Sequence, residues 1–418
     1  MRSTFVSILV ASLGSTIMWL LLVPYFDQVA QSSRLVGLLG MERQIAMVAG
    51  SLLAGTWADR GRVIQKFALL EAAQLGLALV LLGKILFSHS VTSAFVLAWT
   101  GLRFIIVGAT TILAYRLLAD LSGSGSRGAV THMVTSPQGA MVFASIICVL
   151  IPVWTSHSMV TALIIDALTA GCLVVFLFSR GNAKEDESSW TACRWRNTGS
   201  AILSAFLSAI RSFWLPALRP WSFVQICFLT GLSGMMVYGY AIAERQDVVP
   251  VQIGFAASWF FYGLAFWLTA PLLRSASVAR PSAVLFSVAL VACGLLGTLV
   301  DLSHVRVHAL IYVVLTLVNA FWLHYTNAQI LRRAPSHAVG QIRASMLFYL
   351  GVVFGFGEQI AGIALTDAAR TASLGVVRLL VGLILLIAAA LWGGQPETLA
   401  SVPSRRRGRR GDENSVDL

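Results

Sequence analysis

The chain has 418 residues, of which 57% are hydrophobic and only 11% charged, with a formal net charge of +12. Soluble domains carry about 25% charged residues, so this composition excludes a water-soluble enzyme or binding module of this size. Apolar runs of roughly 18 to 25 residues alternate with short polar stretches, and about 20 residues at 1.5 Å rise cross ~30 Å of hydrocarbon.

The first apolar run begins close to Met1, continues over residues 4–26 and has no small-residue cleavage site, which predicts a retained first helix rather than a cleaved signal sequence. Further helices are expected at 37–57, 66–88, 92–118, 131–153 and 157–179. A second set is expected at 221–243, 251–273, 281–302, 306–331, 340–364 and 372–394. The fold class is therefore an all-α membrane protein with twelve transmembrane helices. Residues 1–180 and 221–395 form two six-helix bundles around a linker at 181–220, and a basic, disordered tail occupies 396–418. Within the linker, residues 201–214 mix apolar and small polar side chains close to Arg211 and Arg219, which suits an amphipathic helix on the membrane surface.

Loop charge sets the orientation. With a cytoplasmic N-terminus, 22 of the 30 basic residues fall in inside segments, and only Arg34, Arg43, Lys84, Arg245, Arg306 and Arg370 fall outside. Both termini are expected in the cytoplasm of a bacterial inner membrane. The basic excess then faces anionic membrane lipids rather than nucleic acid, and the Arg405 to Arg410 cluster reads as a tail held near the cytoplasmic leaflet. The five cysteines, Cys148, Cys172, Cys193, Cys227 and Cys293, show no CxxC pair and no partnering histidines. Neither a disulfide framework nor a zinc site is indicated.

Between the second and third helices stands Gly55-Thr56-Trp57-Ala58-Asp59-Arg60-Gly61-Arg62. A tight turn needs glycine, and an acid with two arginines can bind neighbouring helix ends. The string resembles the cytoplasmic signature of the major facilitator superfamily, one residue short between Arg60 and Gly61. The resemblance implies a gate cluster of Gly55, Asp59, Arg60, Gly61 and Arg62 that latches the two halves on the cytoplasmic side. Arg103 resembles the family's arginine in the fourth helix, although Gly108 follows five residues on where the family has a glycine four on. A second copy of the signature after the eighth helix is degenerate, and Pro137-Gln138-Gly139 is a remnant of the family's antiporter motif. Over its full length the chain looks similar to the macrolide-efflux and siderophore-exporter branch.

A charged side chain inside hydrocarbon costs ~2.5–3.5 kcal/mol on insertion scales, so each needs a partner or a use. Glu42, Arg43, Glu71, Arg103, Asp166 and Glu358 fall inside the expected spans, with Arg378 close by. The resemblance places Arg103, Glu42 and Glu358 around a central cavity, where Arg103 would pair with a carboxylate or an anionic substrate. Burial penalises the charged form of a carboxylate, which suits such a group to carry a proton. Asp166 and Arg378 lie on the sixth and twelfth helices, usually peripheral, so a scaffold ion pair competes there with a part in proton and substrate coupling. On the tenth helix Asn319, Trp322 and Thr326 fall within about 60° of one another at 100° per residue, a stripe suited to a substrate cavity. His324 points elsewhere and reads as a packing residue.

These readings converge on proton-coupled export of a drug-like compound or a secondary metabolite such as a siderophore, by a monomer that needs no cofactor. Its partners are a small-molecule substrate, protons and membrane lipids. Proton-coupled uptake of a nutrient or metal chelate is the alternative. A polytopic membrane enzyme is more remote, because no HExxH, paired-acid or P-loop motif is present.

The orientation is testable. Reporter fusions after residues 60, 125, 200, 278 and 335 should read cytoplasmic, and fusions near 30, 90, 155, 247, 304 and 369 periplasmic; two adjacent loops on the wrong side would refute the twelve-helix topology.

Overall fold

The structure is a computed structural model and describes residues 2–58, 63–88, 91–122, 127–155, 157–181, 207, 210–211, 213–246, 249–273, 276–333, 339–365 and 368–393. Six helices form the first half: α1 (Arg2–Ala30), α2 (Ser33–Ala58), α3 (Val63–Phe87), α4 (Ser93–Ser122), α5 (Arg127–Trp154) and α6 (Ser158–Gly181). The second half comprises α7 (Arg219–Leu232), α8 (Met235–Glu244), α9 (Val251–Thr269), α10 (Ala276–Leu299), α11 (Val305–Arg333), α12 (Val339–Ala364) and α13 (Ala368–Gly393). Among the described residues eleven segments are long and apolar enough to cross a membrane, α7 and α8 together making one of them, and α5 contributes the apolar stretch Ala140–Trp154.

Two expected helices differ from the observed ones. The run at 221–243, expected to be continuous, breaks at Ser233–Gly234 into α7 and α8, with Gly234 at φ 79°. That left-handed backbone favours glycine because it has no Cβ to clash. The run at 251–273 stays α-helical only to Thr269 and tightens into a 3₁₀ turn over Ala270–Leu273, where Pro271 lacks the N–H that would continue the α-helical ladder.

Side chains sort by neighbour. Large apolar residues remain exposed on the outer faces, among them Val175, Leu285, Leu299, Leu380 and Leu391. A contiguous apolar exterior of this kind suits hydrocarbon, where the helices already satisfy their own backbone polar groups. Inside, α1 packs on α5 and α6, α2 on α4, and α3 on α4 and α6; in the second half α10 packs on α13, and α9 on α11. The halves meet along two long seams, α2 against α12 and α5 against α9.

Small residues set the closest approach. At the α2–α4 crossing a Cβ on Gly50 would overlap the carbonyl of Ile105, and one on Gly108 the carbonyl of Met47. Ser51 Oγ donates to the carbonyl oxygens of Met47 at 2.8 Å and Gly108 at 3.2 Å. Helices in lipid associate by this kind of tight backbone contact. It accounts for Gly108, which the resemblance left out of register, and it fixes Arg103, five residues earlier on α4, deep in the first half.

The linker at 181–220 is described only in part, and residues 201–206 of the expected amphipathic helix lie outside the described residues, as does the tail from 394 onward.

Candidate functional site

The polar side chains of the interior form two clusters. The first lies within the first half. Arg103 and Asp166 are both fully buried, with Arg103 Nη2 donating to Asp166 Oδ1 at 2.8 Å and Oδ2 at 2.6 Å. Arg103 Nη1 also donates to the carbonyl oxygen of Gln74 at 3.2 Å, and Nη2 to Ser15 Oγ at 3.3 Å. The Ser15 hydroxyl in turn donates to Asp166 Oδ1 at 3.1 Å. Four helices, α1, α3, α4 and α6, thus converge on one ion pair, and the Trp99 ring lies 5.4 Å from the guanidinium carbon. Beside it Gln74 Nε2 donates to Glu71 Oε1 at 3.1 Å.

The sequence left Arg103 to pair with a carboxylate or an anionic substrate, and the structure gives it a carboxylate. Arg103 engages neither Glu42 nor Glu358; its partner is Asp166 on α6. The reason is packing: α6 lies against α1 and α3, so Asp166 faces into the first half rather than towards lipid. Arg378, the other charge on an outer helix, has its guanidinium carbon 4.4 Å from the Tyr238 ring centroid. Tyr238 Oη is 2.6 Å from His308 Nδ1, and His308 Nε2 is 3.1 Å from the carbonyl oxygen of Val300.

The second cluster spans the seam between the halves. Glu358 of α12 is buried and accepts two backbone hydrogen bonds at the start of α8, from Met236 N to Oε1 at 3.1 Å and from Val237 N to Oε2 at 3.0 Å. Arg43 of α2 faces Glu358 electrostatically and lies against aromatic rings, its guanidinium carbon 4.4 Å from the Trp19 centroid and 5.2 Å from that of Phe104. Cations over ring faces gain about 0.5–2 kcal/mol. Gly40 of α2 sits against the Glu358 side chain and Met236, which lets the two helices close around the carboxylate. Glu42, half-buried, packs against Gly101 of α4, and its Oε2 has no hydrogen-bond partner.

The tenth crossing, α11, adds Asn319, Trp322 and Thr326, all buried. Asn319 Nδ2 donates to Tyr262 Oη at 3.1 Å while Asn319 Oδ1 and Trp322 Nε1 are unpartnered. The Thr326 hydroxyl donates to the Trp322 carbonyl at 2.8 Å on its own helix. Thr326 shares a face with the other two, yet its donor is already committed to backbone. His324 packs edge-on against Phe266 at 5.2 Å, on a different face.

Trp19 was not among the expected site residues. Arg43 stood out only as an intramembrane charge; no local pattern places Trp19 over it. Trp19 Nε1, Arg43 Nε and Trp259 Nε1 join Glu42 Oε2, Asn319 Oδ1 and Trp322 Nε1 as buried polar atoms without partners. A buried polar group without a partner carries a desolvation cost, and these groups come from both halves. Gly55 lies in the last turn of α2, whereas Asp59, Arg60, Gly61 and Arg62 of the expected gate lie outside the described residues.

No family model matches the chain, and no curated protein matches it in sequence. Its fold does match solved structures. A D-xylose–proton symporter aligns with a TM-score of 0.68 at 11% identity, over 91% of this chain and 96% of that one. The nucleoside transporter NupG aligns with a TM-score of 0.65 at 14% identity, over 94% and 100%, and a structure from the proton-dependent oligopeptide transporters with 0.62 at 12%, over 93% and 97%. At these identities the likeness establishes the fold. The chain is a multi-pass, all-α membrane protein with the two six-helix bundles of the major facilitator fold.

The buried ion pair makes a stability prediction. Neutralising one partner leaves the other charge buried and uncompensated, a loss of about 3–5 kcal/mol. Arg103→Met or Asp166→Asn alone should therefore lower the thermal stability of the purified protein sharply, and the double variant should recover most of it. Unfolding followed by tryptophan fluorescence would show this, and parental stability in either single variant would refute the role of the pair as a lock.

Proposed function

We propose that the chain is a proton-coupled secondary active transporter of a small organic molecule, working by alternating access of its two bundles. The observation that carries this reading is Glu358: a buried carboxylate at the seam of the halves, held by backbone N–H groups of one half and facing Arg43 of the other. A titratable group that contacts both moving parts senses their relative position, which is the requirement for coupling protonation to rocking. The named neighbours, two of them proton-linked, agree with it.

Within this reading the roles divide. Glu358 and Glu42 are the proton and substrate coupling acids, with Arg43 between the halves. Arg103 and Asp166 keep the first bundle rigid beneath them, a change from the coupling role that the sequence suggested for the pair. Asn319, Trp322, Tyr262, Trp259 and Trp19 present unsatisfied or aromatic groups to a substrate, whereas Thr326 contributes shape. Aromatic surface with a few polar anchors suits a bulky amphipathic molecule, which favours export of a drug-like compound or secondary metabolite such as a siderophore. Proton-driven uptake of a nutrient or chelate is the second reading, favoured by the sugar symporter among the neighbours. Asp59, Arg60, Gly61 and Arg62 serve with Gly55 as the cytoplasmic latch, residues 181–220 as the linker and 396–418 as a tail at the inner leaflet. The working unit is a monomer in the bacterial inner membrane, surrounded by its lipids.

Glu358→Gln and Glu42→Gln remove a titrating group while nearly keeping its shape. In vesicles, transport driven by a proton gradient should fall to the level of protein-free vesicles for the acid that couples, whereas counterflow exchange without a gradient should survive, because exchange needs the site but not net proton movement. Full gradient-driven activity in both variants would exclude these acids as carriers.

A further inference from the structure

A helix leaves its first N–H groups without partners on its own backbone, and in hydrocarbon no water is present to take them. α8 begins partway along a membrane-crossing segment, so its first turn presents such donors where they must be met by protein. Glu358 meets two of them, one with each carboxylate oxygen.

The break that creates these donors is built in from α12 as well. Gly234 holds the left-handed φ of 79°, a Cβ on it would overlap that of Ala361, and Gly357 lies directly against Ser233. Gly357 and Ala361 flank Glu358 on the same helix, so one stretch of α12 both seats the break and caps the helix beyond it. Further along α8, Tyr240 Oη donates to Asp27 Oδ2 of α1 at 2.8 Å, a bond between the two halves. The break at Ser233–Gly234 and the ten residues of α8 after it thus combine a left-handed glycine, a carboxylate cap and a tie to the opposite bundle.

We infer that α8 is a hinged gate between the bundles and that Glu358 is its proton-operated catch, holding the first turn of α8 as a carboxylate and releasing it as the neutral acid. The inference rests on the proton-coupled reading above. An anion is stabilised at a helix N-terminus by the partial positive charge of the aligned peptide groups. The protonated acid loses that attraction, and one of its oxygens becomes a donor facing donors.

The charged and titratable groups facing Glu358 are few among the described residues: Arg43 from α2, Tyr262 from α9 and Tyr312 from α11. On α8 itself Tyr238 turns towards His308, and Arg378 of α13 lies over the Tyr238 ring rather than against the carboxylate. Glu42, next to Arg43 on α2, packs against α4. Arg43 is the one formal cation in this set and comes from the opposite bundle. Separation of α2 from α12 would therefore weaken the carboxylate form of the catch, so movement of the halves and protonation of Glu358 drive each other.

Hydrogen–deuterium exchange on the full-length protein in lipid nanodiscs tests this without knowledge of the substrate. Peptides covering residues 234–246 are compared in mildly alkaline and mildly acidic buffer, with labelling times scaled for the intrinsic chemistry of exchange. The amides of Met236 and Val237 should exchange at least about tenfold faster in acid, while those around Arg103 on α4 should not change. Glu358→Gln should exchange fast in both buffers. Tyr240→Phe, which cuts only the tie to Asp27, should loosen the end of α8 and leave Met236 and Val237 protected in alkali. Equal protection of these two amides in both buffers, parental protection in Glu358→Gln, or their loss of protection in Tyr240→Phe would each overturn the catch. Exchange reports on α8 whether or not anything is transported, so failure of the catch and failure of the transport reading, which counterflow in vesicles tests, are separately visible.

Discussion

The cost of placing charge in hydrocarbon governs the interior of this protein. Each ionised side chain there must find a counter-charge, a hydrogen-bonding backbone or a ring face, and the structure uses all three. Asp166 meets Arg103 directly, with Ser15 and the Gln74 carbonyl adding hydrogen bonds. Glu358 meets the open end of α8. Arg43 and Arg378 lie over Trp19 and Tyr238. These solutions differ in how firmly they hold. An ion pair tied to four helices of one bundle is held within that bundle, whereas the carboxylate at the seam, bonded to a half-helix, has neighbours from both halves.

The halves share an architecture but not a charge plan. In the first, a cation on the fourth crossing meets an anion on the sixth. In the second, the tenth crossing offers His308 and the twelfth Arg378, with Tyr238 of the seventh between them. The second half thus contains no counterpart of the Arg103–Asp166 pair among the described residues, and its seventh crossing is the broken one. The first bundle is tied by an ion pair and the second has a broken seventh crossing, and the proposed gate lies at that break.

The twelve crossings were legible because hydrocarbon thickness forces runs of about 20 apolar residues, a signal that needs no tertiary information. Glu358, Arg103 and Asp166 were visible for the same reason: a charge in such a run is conspicuous. Their partners were not. Asp166 was read as lying on a peripheral helix, yet the face it presents is set by how α6 leans on α1 and α3. The break in the seventh crossing left only Ser233-Gly234 as a trace, and glycine is common enough in membrane helices that the pair carries little weight until Glu358 is seen capping the next turn. Helical periodicity grouped Asn319, Trp322 and Thr326 correctly on one face but could not show that the threonine hydroxyl bonds its own backbone. Arg43 was seen as a charge near a helix end, without the ring of Trp19 that gives it a place in the interior.

The central claim is a division of labour: Glu358 exchanges a proton at the seam while Asp166 stays bound to Arg103. Infrared difference spectroscopy of the protein in lipid, recorded as the pH is lowered, reads it directly through the carbonyl stretch of a newly protonated carboxylic acid. The account predicts that Glu358→Gln removes one component of that band, and that the same component persists when Arg103→Met and Asp166→Asn are combined. An unchanged band in Glu358→Gln, or loss of that component with the Arg103 and Asp166 substitutions, would contradict it.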